Sequence, residues 1–169
     1  MTKIKPETLS SSFRVIQTDV SHADALYPLY CSNRQYFDCF QITPTRDRLI
    51  TDMTMLPDGC REEQKHFLIY CDGGSPIALL DLIESYPEDE ICYIGLFMVD
   101  TAHSGRGVGS GIIRELCTAL EELGFKELRL AYGKHYAHAA YFWTNNGFAP
   151  IKEAFLEEYG ELIVAQRIL

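Results

Sequence analysis

Residues 93–111 read YIGLFMVDTAHSGRGVGSG, and the spacing of the apolar residues changes inside this segment. Residues 91–99 form a short run of bulky apolar side chains, which is typical of a buried strand. From Val108 to Leu123 the apolar residues instead recur on one face of a helix. The segment therefore predicts a central buried strand, a turn, a glycine-rich loop and the start of a long helix.

The loop between the strand and the helix carries four glycines at alternate positions, Gly105, Gly107, Gly109 and Gly111. Glycine permits positive φ and lets a ligand touch the backbone without a Cβ in the way. Backbone N–H groups in such a loop, which opens onto a helix N-terminus, form an anion site. The loop therefore predicts a pocket for a phosphate or pyrophosphate. The alternative is a glycine-rich turn that only packs the helix against the strand.

Two common phosphate-binding motifs are excluded by the spacing. Counted from Gly105, the dinucleotide fingerprint G-x-G-x-x-G places Ser110 at its last glycine. A P-loop needs Gly-Lys-Ser/Thr, which does not follow here.

Composition and charge limit the class of protein. The 169 residues, 47% apolar and 23% charged, suit one domain spanning 1–169. A net charge of −9 argues against a nucleic-acid partner, which would need clustered Lys and Arg. The six cysteines show neither C-x-x-C pairs nor Cys/His metal spacing, and no apolar run reaches the ~20 residues that span a membrane. We expect a cytoplasmic protein with reduced cysteines, no metal and no membrane partner.

The predicted element order is β-α-α-β-β-β-α-β-α-β-β. The first helix follows a cap at Asp19 or Ser21, Pro44 opens the second, and Gly124 ends the long one. We expect strands at 13–18, 66–71, 76–86, 91–99, 126–132, 148–155 and 162–169.

The run from Val99 to Gly109 resembles the acetyl-CoA loop of the GNAT superfamily of N-acetyltransferases. That signature is Gln/Arg-x-x-Gly-x-Gly/Ala after a strand that ends in hydrophobic-x-Val. Gly107 and Gly109 fill the glycine positions, and Ser104 stands where Gln or Arg is usual. The predicted order of strands and helices also resembles that of the GNAT superfamily over nearly the whole chain. The resemblance implies an α/β (α+β) fold, with a mixed, strongly twisted sheet of about six to seven strands and about four helices.

A second stretch, residues 136–148, resembles the family signature Asn-x-x-Ala-x-x-hydrophobic-Tyr-x-x-x-Gly-Phe. Ala139 and Phe142 match it in register, but Tyr136 replaces the Asn, and Trp143 replaces the Tyr that often protonates the departing thiolate. An indole N–H cannot act as a general acid near neutral pH. Tyr141 is our candidate acid. The alternatives are Tyr136, His135, His138, or help from solvent or backbone.

The resemblance also implies the path of acetyl-CoA. Its pantetheine arm would lie between the central strand and the next parallel strand, and its pyrophosphate would bind amides of the glycine loop. Arg106 would add a charge-assisted contact or remain solvated. The predicted coenzyme contacts are Phe97, Met98, Val99, Ser104, Gly105, Arg106, Gly107, Val108, Gly109, Ser110, Tyr136, Ala139, Phe142 and Trp143.

A general base must remove a proton from the acceptor ammonium before it attacks. Asp81 and Glu84 are candidates because they interrupt the apolar strand beside the central one. We favour them over Glu90. Some family members carry a base where Tyr93 stands here. The family places the acceptor pocket between the first helices and the last hairpin, so Tyr36, Phe37, Phe40 and Tyr159 are candidate substrate contacts.

We therefore expect an N-acetyltransferase that moves an acetyl group from acetyl-CoA to a primary amine by direct attack in a ternary complex. The acceptor expected is a small-molecule amine. Three other functions remain open: a non-catalytic acyl-CoA-binding module, a binding protein for another nucleotide, and an acetyltransferase for protein N-termini or lysines. A homodimer is left open as well.

Overall fold

The computed structural model describes residues 2–169 and contains a seven-stranded sheet in the order β1-β2-β3-β4-β5-β7-β6. Met1, the first residue of the predicted domain, lies outside the described residues. Neighbouring strands are antiparallel except β4 and β5, which are parallel because helix α4 crosses between them. The combination of antiparallel pairs with one parallel pair confirms the predicted mixed sheet. The strands are β1 (Arg14–Gln17), β2 (Lys65–Asp72), β3 (Ser75–Ile83), β4 (Ile91–Val99), β5 (Glu127–Gly133), β6 (Ala149–Leu156) and β7 (Gly160–Ile168).

Within residues 2–169, five α-helices accompany the sheet, one more than the sequence predicts. The additional helix, α2, spans Arg34–Cys39 and buries Phe37. The others are α1 (Ala23–Ser32), α3 (Arg46–Thr54), α4 (Val108–Glu122) and α5 (Ala137–Asn145).

Helix ends follow local chemistry. Helix α3 begins at Arg46 and not at Pro44, because the Thr45 side chain caps the helix by accepting a hydrogen bond from the Arg48 N–H. Gly124 follows α4 with φ +89°, as predicted for a glycine just after a helix C-terminus. None of the helices within residues 2–169 is long and apolar enough to cross a membrane.

The sheet is covered on both faces. One face packs against α4 through residues such as Leu80, Leu82 and Leu116, and the other packs against α1 and α3 through residues such as Leu49 and Leu79. Because successive strand residues point to opposite faces, Asp81 lies on the α1/α3 side.

Two irregularities of β4 position the site. The register of β3 against β4 moves from Asp81–Leu96 to Leu82–Ile94, so that Gly95 is the additional residue of a bulge. On the other side, β4 pairs with β5 only as far as Ile94, although both strands continue. Beyond Ile94 the two parallel strands separate.

Candidate active site

A cavity of about 890 Å³ opens where β4 and β5 separate. Residues 93–99 of β4 and 129–133 of β5 form two of its walls, and the glycine loop and α5 form a third. Its other end is lined by residues of α2, α3 and the β6–β7 hairpin. Apart from Arg106, which is exposed and outside the lining, every residue predicted to contact the coenzyme lines this cavity.

The glycine loop has the backbone conformation that its sequence predicts. Gly105 and Gly107 have φ of +74° and +76°, a region that other residues rarely adopt. Gly107 immediately precedes α4, whose first N–H groups have no partner within the helix. Gly109 has a different role, because a Cβ there would lie 3.2 Å from Phe142 and 3.3 Å from Val99. The loop therefore both packs α4 tightly and leaves N–H groups free for an anion.

Polar groups along the cavity are suited to an extended, phosphate-bearing ligand. His103 lies beside the glycine loop; its buried Nδ1 makes no hydrogen bond among residues 2–169 and lies 3.9 Å from Asp100 Oδ2. The β4 backbone beyond Ile94 lacks a partner strand on the β5 side. One carbonyl at its end is used, since Asn33 Nδ2 donates a hydrogen bond to the Val99 oxygen over 3.1 Å. An acyl-CoA, with its pantetheine amides and its pyrophosphate, fits these groups.

An aromatic cluster forms the α5 wall of the cavity. Phe97 stacks on Phe142 with ring centroids 6.1 Å apart and lies 5.9 Å from Trp143. Trp143 is only 8% exposed and also packs against Phe148. Phe142 and Trp143 thus both pack in the core and line the cavity.

The candidate acids occupy different environments. Tyr141 lines the cavity but is 73% exposed. Tyr136 also lines it, and burial raises the pKa of its phenol. Tyr132, which the sequence does not single out, lies on the separated end of β5 at the cavity wall, and burial raises its pKa too. Its one signal is a tyrosine at the end of a strand predicted to border the coenzyme.

Asp81 lies in the cavity and is 8% exposed. Its Oδ1 accepts a hydrogen bond from Lys65 Nζ over 2.8 Å, and its Oδ2 lies against the bulge at Gly95. Burial raises the pKa of Asp81 to about 6, although the Lys65 ammonium favours the carboxylate. A carboxyl group with such a pKa is largely ionised at neutral pH and is ready to accept a proton.

Glu84 lies elsewhere and does not line the cavity. It is 4% exposed and accepts hydrogen bonds from the Thr2 hydroxyl, the Lys3 N–H and His66 Nε2, the last over 3.1 Å. Burial alone would raise its pKa, but these hydrogen bonds hold the pKa at about 2. Its contacts tie the N-terminal segment to β2 and β3 rather than to the site.

Three of the four residues predicted to contact the acceptor line the cavity, and the fourth does not. Tyr36, Phe40 and Tyr159 line the cavity, with ring centroids 5.1 Å apart for each of the pairs Tyr36–Phe40 and Phe40–Tyr159. Phe37 is 2% exposed and belongs to the core beneath them.

Asp52 is a cavity carboxylate that the sequence reading missed. It accepts a hydrogen bond of 2.6 Å from the Tyr30 hydroxyl, and burial raises its pKa. A signal was present, because Asp52 falls between Leu49 and Met53 on the apolar face of α3. Arg48, one turn earlier, donates a hydrogen bond to the Tyr159 hydroxyl over 3.0 Å.

Residues 25–148 match a model of the acetyltransferase (GNAT) family. The chain belongs to the GNAT family. Acetyl-CoA is the acyl donor of that family, and the match includes both β4 with its glycine loop and α5. No curated protein sequence matches this GNAT chain significantly.

Solved acetyltransferase structures share the fold. An acetyltransferase from Thermus thermophilus superposes with a TM-score of 0.78 at 22% identity, covering 94% of this chain and 97% of the other. The ribosomal-protein-S18-alanine N-acetyltransferase from Escherichia coli gives 0.67 at 12% identity, covering 92% and 93%. The PaiA N-acetyltransferase from Thermoplasma acidophilum, in complex with coenzyme A, gives 0.65 at 12% identity, covering 94% and 99%.

Proposed function

We propose that this GNAT protein transfers an acetyl group from acetyl-CoA to a small-molecule primary amine, with Asp81 as the general base. The observation that carries the proposal is the position of Asp81. Its buried carboxylate lies in the cavity, directly beside the bulge at which β4 and β5 separate.

The coenzyme would be held by groups that the fold leaves without partners. The N–H groups of the glycine loop and the start of α4 would bind its pyrophosphate, with His103 beside them. The β4 backbone from Gly95 to Met98 would pair with its pantetheine arm. When bound, acetyl-CoA supplies an activated acyl group as a thioester.

Asp81 would act on the acceptor nitrogen. An alkyl ammonium has a pKa near ~10, so it must lose a proton before it can attack a carbonyl carbon. The Asp81 carboxylate would accept that proton directly or through one water molecule. An N–H of β4 near Phe97 would hold the negative charge that develops on the carbonyl oxygen. As the carbon–nitrogen bond forms, the carbon–sulfur bond would break and the sulfur would leave as a thiolate, which Tyr141, Tyr136 or solvent would protonate.

The other end of the cavity indicates the chemistry of the acceptor. Tyr36 and Phe40 offer aromatic faces, and Asp52 and Asp81 offer carboxylates. The Tyr159 ring already has the Arg48 guanidinium over it, 5.8 Å from the ring centroid. Aromatic faces and carboxylates both attract a cation. This combination supports an amine that is protonated in solution and carries an apolar body.

The test is thiol release from acetyl-CoA with a panel of aliphatic amines, aromatic amines, polyamines, amino acids and peptides. Isothermal titration of acetyl-CoA runs alongside. We expect turnover with a class of small amines, and a loss of about 10²-fold or more in kcat for Asp81→Asn. Glu84→Gln is the matched control, because it makes the same carboxyl-to-amide change outside the cavity.

A non-catalytic acyl-CoA-binding module is the second candidate. Trp143 favours it, because a buried indole stands where the family signature has a tyrosine. Binding of acetyl-CoA without turnover on any amine would support this module.

Turnover that survives Asp81→Asn unchanged would remove Asp81 from the mechanism.

A further inference from the structure

A second, open cavity of about 360 Å³ adjoins the first and contains two arginines. Ser110, Asn145 and Asn146 line both cavities, so the second continues from the glycine loop. It lies at the start of α4 and the end of α5, whereas Asp81 lies at the bulge of β4. The remaining lining residues are Arg114, Gly147 and Arg167.

Neither arginine is neutralised by an acidic partner among residues 2–169. The Arg114 guanidinium is exposed and makes no hydrogen bond or ion pair in that range. Arg167 Nη1 donates a hydrogen bond to the backbone oxygen of Asn146 over 2.9 Å, which fixes its position without cancelling its charge. No Asp or Glu lines the cavity. In a chain with a net charge of −9, this is a local concentration of positive charge.

The spacing along α4 connects these arginines to the glycine loop. Arg114 follows Ser110 by four residues, so the two side chains lie on the same face about 6 Å apart along the helix axis. Asn146 Nδ2 donates a hydrogen bond to the Ser110 hydroxyl over 3.1 Å, which joins α5 to the same face. A ligand bound to the loop N–H groups through one phosphate would thus have the Arg114 guanidinium about one helical turn away.

Coenzyme A carries two phosphate groups of this kind. Beyond its pyrophosphate, and separated from it by one ribose, lies a 3′-phosphate with a charge approaching −2 at neutral pH. We infer that Arg114 and Arg167 bind this 3′-phosphate, so that the protein distinguishes coenzyme A from dephospho-coenzyme A. The inference rests on the proposed function, since it assigns the far end of the same coenzyme. Guanidinium groups suit phosphate oxygens because their N–H donors form a planar fork.

Binding of coenzyme A and dephospho-coenzyme A, measured by isothermal titration, tests the inference. The two ligands differ only in the 3′-phosphate. We expect the wild-type protein to bind coenzyme A about tenfold more tightly, and Arg114→Gln to reduce that ratio to about two or three. Arg14→Gln is the matched control, because Arg14 does not line the second cavity and lies on the edge strand β1, which four strands separate from β7. It should leave the ratio unchanged.

A phosphorus NMR titration gives a readout that a purely structural role of Arg114 would not change. The 3′-phosphate resonance of coenzyme A should move on binding to the wild-type protein. With Arg114→Gln it should move much less, while the pyrophosphate resonances still move.

Three results would overturn the inference, and they differ from one another. Equal affinity of the wild-type protein for both ligands would remove the 3′-phosphate contact but leave the coenzyme site intact. Inorganic phosphate that binds at Arg114 without competing with coenzyme A would identify an independent anion site. Failure of both ligands to bind would overturn the proposed function together with this inference.

Discussion

Asp81 occupies the space that a side chain at position 95 would need: a Cβ built on Gly95 would lie 2.5 Å from Asp81 Oδ2. Such a contact is far closer than non-bonded atoms tolerate, so the bulge of β4 and the carboxylate of β3 depend on each other. Gly95 has no positive φ that would require glycine. A larger residue at position 95 would therefore have to displace the Asp81 carboxylate.

Gly95→Ala should therefore act on catalysis through Asp81. The added methyl group would push the carboxylate away from the bulge, and a displacement of about 1 Å can lower a rate about 10²-fold. We expect kcat to fall by about that factor while the dissociation constant of coenzyme A changes less than threefold. In an Asp81→Asn background the same substitution should add little. Full additivity of the two effects would mean that Gly95 acts on something other than Asp81.

The acidic limb of the pH profile should report Asp81. A base works only when deprotonated, and burial raises the pKa of Asp81 to about 6. We expect kcat/KM to be constant above pH ~6, apart from ionisation of the amine, and to fall about tenfold per unit below it.

Lys65→Met should move that limb to higher pH. The Lys65 ammonium, 2.8 Å from Asp81 Oδ1, stabilises the carboxylate, so its removal raises the pKa of Asp81 further. A limb that stays in place, in a variant shown by circular dichroism to be folded, would assign the titration to another group.

Glu84→Gln should affect stability and leave catalysis alone. The folded-state pKa of Glu84 is about 2, below the usual 4.5, so the carboxylate form stabilises the fold. That contribution is complete above pH 4.5 and is lost as the pH falls toward 2. We expect urea denaturation to show a loss on the order of 2 kcal/mol at pH 7, and a smaller difference from wild type near pH 3. A changed acidic limb of kcat/KM in this variant would contradict the assignment.

Gly107→Val should weaken coenzyme A binding because Gly107 has φ of +76° in the phosphate loop. A β-branched residue is strained there and would rearrange the loop N–H groups, so we expect at least tenfold weaker binding by titration. Gly74→Val is the matched control. Gly74 also has positive φ, +84°, with nothing within 4 Å of a built Cβ, but it lies in the β2–β3 turn. Gly74→Val should lower the free energy of unfolding by a similar amount without changing the affinity for coenzyme A.

Local patterns predicted most of the fold. The change of period at Val108, the glycine at position 124 and the bounds of β4 all agree with the structure. The six-residue helix α2 was missed because so short an element contributes too few residues to show a period. The sequence predicted that α3 starts at Pro44. In the structure the helix starts at Arg46, after the capping hydroxyl of Thr45.

The site was harder to predict because β3 is buried on both faces. Its apolar run gave no indication of which side faces the cavity, so Asp81 and Glu84 were equally suitable. Because Asp81 and Glu84 are three residues apart in the predicted strand, the alternation of side chains did predict that they lie on opposite faces of the sheet. The bulge at Gly95 could not be predicted, since register depends on both strands. The spacing along α3 places Asp52 on the apolar face of the helix, but only the packing of α3 on the sheet brings that residue to the cavity.

The short pairing of β4 with β5 divides the sheet into two parts. Within residues 2–169, four residue pairs from Ile91–Glu127 to Ile94–Leu130 are the only ladder between β1–β4 and β5–β7–β6. A ligand lying in the gap and hydrogen-bonded to both strands would act as an additional rung between two half-sheets. Occupancy would then slow amide hydrogen exchange in strands that the ligand never touches, since neither half could move without the other.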